Sequence, residues 1–139
     1  MKDQDKEALK EAARKARKYL LDHRAAVLRM NDYPKEIKNI IDNIKTYVQG
    51  AGEALTTHQL RNVFGEVKKA KDVISFQLIR PNLAYIAARQ DKNAKGAQEM
   101  VEFLDEMIQG INAPEDIEGG HHFFEAVVAY HKLYHAKNN

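Results

Sequence analysis

The sequence predicts an all-α fold, a small bundle of five or six helices, and three observations carry that expectation. Apolar residues recur at three- and four-residue intervals through most of the chain, and strand-like alternation is nearly absent. Helix-starting signals, Pro34, Pro81 and a capping-box spacing at Thr56, divide the pattern into short segments. At 139 residues the chain fits one domain with a modest core.

The first segment, about Asp3 to Met30, repeats apolar residues at Leu9, Ala12, Ala13, Ala16, Leu20, Val27 and Leu28 and stops near the stretch NDYP. Lys6, Lys10, Arg14, Arg17 and Lys18 form a stripe beside that face, read as solvated. A second helix is expected to begin at Pro34, whose fixed φ suits a first helical turn, and to run through Ile37, Ile40, Ile41, Ile44 and Val48 to Gly50 and Gly52. Thr56 with Gln59 opens a third, striped by Leu60, Val63, Phe64, Val67 and Ala70. Pro81 opens another, reaching about Arg89, because the residue before proline is pushed away from helical angles. Next comes KGAQEMVEFLDEMIQGI, with Met100, Val101, Phe103, Leu104, Met107 and Ile108 inward and its acids outward. APEDIEGG is read as an interruption, and HHFFEAVVAYHKLYH as the last helix.

Composition narrows the chemistry. Cysteine is absent, which excludes disulfides, thiolate zinc sites and cysteine nucleophiles and fits a reducing compartment. No apolar run approaches the roughly 20 residues that cross a bilayer, and MKDQDKEALK lacks the apolar segment of a signal peptide, so a soluble cytoplasmic protein without membrane contact is expected. Net charge is +2 but unevenly spread. Through Lys95 the balance is +8; the next 36 residues hold eight acids and no Lys or Arg. A basic body with an acidic segment suggests a polyanion partner and a second, basic partner, against the plainer alternative of two differently solvated faces.

Catalytic signatures are scarce. Ser75 is the single serine and has no histidine beside it, and no glycine-rich phosphate loop occurs. His131 and His135, spaced i, i+4, share one helix face, and Glu118 with His121 matches a Glu-x-x-His pair. Carboxylate-bridged metal sites use two such pairs on regular helices, whereas here there is one, interrupted by Gly119 and Gly120. These histidines are therefore read as surface or interface residues, and neither metal nor cofactor is expected. A metal-dependent enzyme centred on Glu118, His121, His131 and His135 stands as the catalytic alternative.

The remaining constellation is basic and aromatic. His58, Arg61, Gly65, Lys68 and Lys69 fall along one solvent face opposite the Leu60 stripe, so cations there form a track. A mid-helix glycine costs roughly 1 kcal/mol relative to alanine, which suggests close approach at Gly65 of another helix or of a sugar-phosphate backbone. After Pro81, Asn82, Tyr85 and Arg89 share a face, with Leu83, Ile86 and Ala87 turned to the core. Guanidinium forks pair with phosphate in two-point geometry and stack on bases. Arg80 and Arg89 therefore either flank a phosphate-binding surface or pair with acids of a neighbouring helix.

Three stretches, LTTHQLRNVFGEVKKA, LIRPNLAYIAARQ and FFEAVVAYHK, resemble in order and separation the small α-helical subunit of type III-A CRISPR effector complexes, the Csm small subunit. The resemblance covers about Leu55 to Lys132 within a single domain of 1–139, with residues 1–50 as a variable helical lead-in. It implies a non-catalytic subunit, several copies of which stack head to tail along the effector with its other subunits. These hold guide RNA and target RNA by backbone contacts while base pairing supplies specificity. Carried over by position, its basic residues fall on Arg61, Arg80 and Arg89; Lys68, Lys69 and Lys132 join them from the analysis of faces. Asn82 departs from a lysine common among relatives. If copies stack, an acidic surface from Glu99 to Glu125 meets the basic surface of the next. The competing reading is a protein adaptor without RNA affinity of its own.

Overall fold

The computed structural model describes residues 2–89 and 95–136, and all regular structure among them is helical. The helices are α1 (Asp3–Asp22), α2 (Arg24–Val27), α3 (Ile37–Ala51), α4 (Thr57–Lys69), α5 (Val73–Gln77), α6 (Arg80–Ala88), α7 (Lys95–Gln109) and α8 (Ile117–His135). Short 3-10 turns occupy Met30–Asp32, Gly52–Ala54 and Pro114–Asp116. Among the described residues six helices run nine residues or more, in line with the five or six that periodicity predicts. None is long and apolar enough to cross a membrane.

α3 packs on α1 along one side and on α8 along the other, α4 lies against α8, and α6 against α7. The centre is aromatic: Tyr47 of α3 meets Phe103 of α7 at 4.4 Å between ring centroids, Phe103 meets Phe123 of α8 edge-on, and Phe123 meets Phe124. Such pairs prefer tilted contacts because ring faces are negative and edges positive. α1 contributes Ala13, Ala16 and Leu20 to this core, so the helical lead-in is a core element. A Cβ added at Gly50 would lie 2.2 Å from the Leu9 carbonyl oxygen, so the α1 and α3 backbones touch there.

Four boundaries differ from the expected ones, each for a tertiary or capping reason. The first segment breaks at His23, where the ring stacks on Tyr19 at 4.1 Å and Nδ1 donates to the Tyr19 carbonyl at 2.8 Å. Arg24 Nη1 then donates to the Glu106 carbonyl at 2.7 Å, tying the turn to α7. Pro34 opens a turn closed by Glu36 N–H on the Tyr33 carbonyl, and α3 starts at Ile37. α5 is an unexpected helix: the Asp72 side chain caps it by accepting from Ser75 N–H at 2.7 Å, and Phe76 is buried.

The fourth difference is the glycine pair. α8 begins at Ile117 and runs straight through Gly119 and Gly120. A Cβ at Gly119 would lie 1.9 Å from the Leu28 carbonyl oxygen, so glycine lets the α8 backbone press on the turn after α2. Ahead of α8, Asp116 accepts from Asn112 N–H at 2.9 Å and Ala113 N–H at 3.1 Å and pairs with Arg29 Nε at 2.7 Å. Burial pushes the Asp116 carboxyl up, but the Arg29 hydrogen bond and the two N–H donors outweigh it and hold the group below the usual carboxylate range.

Candidate nucleic-acid interface

α4 starts as its sequence specifies. Thr56 Oγ1 accepts from Gln59 N–H at 3.0 Å, and Gln59 Oε1 accepts from Thr56 N–H at 2.9 Å, closing the capping box. Leu60, Val63 and Val67 are buried on the inner face, Phe64 is half-buried, and His58, Arg61, Asn62, Lys68 and Lys69 are exposed. Lys68 Nζ lies 5.3 Å from the Phe64 ring centroid, a cation over an aromatic face. Gly65 has open space: no described atom lies within 4 Å of a Cβ added there. Helix packing, one of the two uses expected for this glycine, is therefore not its reason.

α6 runs alongside α4 and leaves a surface groove of about 590 Å³ between them. Asn82, Tyr85 and Arg89 line it from α6, and His58, Asn62 and Glu66 from α4, with Val63 and Ile86 below. The Arg89 guanidinium carbon sits 6.0 Å from the Tyr85 ring centroid. Asn82 Nδ2 donates to Glu66 Oε1 at 2.5 Å, bridging the two helices. Glu66 Oε2 is shielded from solvent and has no hydrogen-bond partner among the described residues.

Arg80 turns the other way. Its Nε and Nη2 donate to the two oxygens of Asp105 on α7, at 2.8 and 3.3 Å, and its Nη1 donates to Gln77 Oε1 at 3.2 Å. Three guanidinium nitrogens are thus engaged within the chain, and Arg80 faces α7 while Arg89 faces α4. The two arginines do not flank one surface: Arg80 pairs with an acid of the neighbouring helix, and Arg89 lines the groove toward α4. Arg61, Lys69, Arg89 and Lys132 are exposed, with no ion pair among the described residues.

Much of the charge asymmetry is spent internally. Arg17 pairs with Glu106 at 3.1 Å, Arg29 with Asp116 and Glu115, and Arg80 with Asp105. The basic body and the acidic stretch therefore hold each other. Along α1, Lys10, Arg14 and Lys18 pair with acids one turn away on the same helix. Glu99, Glu102 and Glu125 remain exposed and without an ion pair among the described residues.

Three of the C-terminal histidines serve the fold, which corrects their reading as surface or interface residues: His131 is buried and His121 and His135 are part-buried. Nε2–H of His121, His131 and His135 donates at 2.7 Å to the carbonyls of Ala70 at the end of α4, Leu55 just before α4, and Val48 in the last turn of α3. His131 is buried, and its Nδ1 lies 3.3 Å from Thr57 Oγ1. Burial, with the His135 ring beside it, outweighs the Leu55 bond and lowers its pKa, favouring the neutral ring. Glu118 bonds Asn31 Nδ2 and lies 3.4 Å from His122 Nε2. No group of three or more metal-ligating side chains gathers among the described residues.

Fold and site together define a small all-α bundle with exposed cations on α4 and a groove between α4 and α6 lined by Arg89. The family description Csm2 Type III-A matches residues 32–137, from the turn before α3 through α8. The chain belongs to that family, the small subunit of the type III-A Csm complex. Neither the curated proteins nor the solved structures include a match.

Of the groove walls, sequence reasoning singled out His58, Asn82, Tyr85 and Arg89 but missed Asn62 and Glu66. Helical spacing carried that signal: Asn62 and Glu66 follow His58 at i+4 and i+8 on one face.

Proposed function

We propose that this chain is a non-catalytic, RNA-contacting subunit, several copies of which line guide RNA and target RNA in a cytoplasmic Csm complex without a cofactor of their own. The observation that carries the reading is the set of exposed cations without acid partners among the described residues on the outer surface of α4 and α6: Arg61, Lys69 and Arg89, with Lys68 beside them over Phe64. Lys132 extends the set onto α8. Cations of this kind neutralise phosphates and release counterions without reading sequence. Arg80 acts in this reading as a strut between α6 and α7 and contributes least to RNA affinity. Contact between copies belongs to the same reading, with Glu99, Glu102 and Glu125 as its acids, each without an ion pair among the described residues.

A salt titration of affinity for single-stranded and duplex RNA tests it, comparing wild type with an Arg61→Ala, Lys69→Ala, Arg89→Ala variant of verified fold. The slope of log affinity against log salt should flatten in the variant by roughly 0.7 to 0.9 for each phosphate left without its cation. Shallow, equal slopes and no measurable affinity would overturn RNA contact and leave the adaptor reading.

A further inference from the structure

We propose that the α4–α6 groove receives a single unpaired nucleobase of the bound RNA, stacked on Tyr85, while the adjoining sugar-phosphate chain passes over Gly65. This rests on the RNA-contacting reading and goes beyond backbone contact, because a base held inside a duplex cannot reach such a groove.

The groove is unsuited to phosphate alone. Its walls carry the cation Arg89 and the carboxylate Glu66, so their formal charges cancel. A groove built for phosphate would not place an anion in its wall. What the walls do offer is a planar surface and polar edges. Tyr85 is 65% exposed, although tyrosine in a small bundle ordinarily hides its ring. The Arg89 guanidinium beside it adds a second group able to stack. Asn62 and Asn82 supply amide groups, and Val63 and Ile86 give an apolar base to the groove.

Two further features have no internal explanation. Glu66 Oε2 has no donor among the described residues, and the exposed Asn82 amide, which bonds the other carboxylate oxygen, is free to swing aside and let a ligand donor reach the group. Every nucleobase carries an N–H donor on its pairing edge, so this acceptor suits any unpaired base without imposing a sequence. Gly65, on a helical wheel, falls between the groove-facing His58 and Asn62 and the cation-bearing Arg61 and Lys68. Open space there lets a sugar-phosphate chain approach the helix closely between base site and cations.

The test uses the full chain and three RNA duplexes of one sequence: fully paired, with one bulged 2-aminopurine, and with one bulged abasic site. Wild type should prefer the 2-aminopurine bulge over the abasic one by roughly tenfold, the scale of a base–aromatic stack, and quench its fluorescence. Tyr85→Ala should abolish both the preference and the quenching, Tyr85→Phe should keep them, and all three proteins should retain the same salt slope. Equal affinity for all duplexes with a steep salt slope would overturn the base site while leaving RNA contact intact. No affinity for any duplex would overturn both.

Discussion

His131 is a buried imidazole whose Nε2–H bonds the Leu55 carbonyl, fastening the end of α8 to the start of α4. In the unfolded chain such a group titrates near 6.5, and in the fold its pKa is lower, so the native state binds fewer protons. Its contribution to stability is therefore complete above about pH 6.5 and is lost as pH falls from there toward the folded value. Urea unfolding from pH 7.5 to 5 should show that loss, and His131→Gln, which keeps a donor but does not titrate, should flatten it. His131→Ala should cost about 2 to 4 kcal/mol at pH 7.5 from the cavity and the orphaned carbonyl, measured by the same unfolding curves. The sequence showed that His131 and His135 share a face, but not that the face is interior. Spacing ranks positions around a helix and says nothing of what packs outside it.

At the scale of elements, two glycines of the same helical type behave in opposite ways. Gly119→Ala drives a methyl into the Leu28 carbonyl, a backbone atom that cannot yield unless α8 and the turn after α2 separate. A destabilisation of about 3 kcal/mol or more is expected, read as a lowered melting temperature. Gly65→Ala meets open space and should gain about 1 kcal/mol in the same measurement, since alanine is the better helix former. If the RNA backbone passes over Gly65, that more stable variant binds RNA more weakly. Helix identity and inward faces were legible from periodicity: the expected inward residues of α7 are all buried, and the Thr56 capping box forms as spaced. Helix α5 was not, because at 5 residues it is too short to display a period and rests on its Asp72 cap and the buried Phe76. The GG pair was read as an interruption because low helix propensity gives no hint of a backbone-to-backbone crossing.

For the molecule as a whole, charge works in two separate capacities. Arg17, Arg29 and Arg80 stitch the basic body to the acidic stretch, whereas Arg61, Lys69 and Arg89 face outward unpaired among the described residues. Stability and RNA affinity should therefore respond to different substitutions. Arg80→Ala should lower unfolding stability by about 1 kcal/mol, a modest figure because the pair is part-exposed, and leave the RNA salt slope unchanged. Arg61→Ala should do the reverse, with stability within about 0.5 kcal/mol of wild type and a flatter slope. If copies stack, Glu102→Lys should disturb their contact without touching the fold, whereas reversing Asp105 or Glu106 breaks an internal pair and confounds such a test.

By itself the sequence determined the helical class, the inward faces of α1, α3, α4 and α7, the α4 start and the family, because these depend on local spacing and residue type. It also held one fact about the arginines: nine residues are two and a half helical turns, so side chains that far apart on a helix point to opposite sides. Which side met a partner was decided only by tertiary structure. Asp105 stands twenty-five residues from Arg80 and Glu66 sixteen from Asn82, and no local period relates residues on different helices. Packing α6 between α4 and α7 brought one arginine to a carboxylate and left the other beside an open groove.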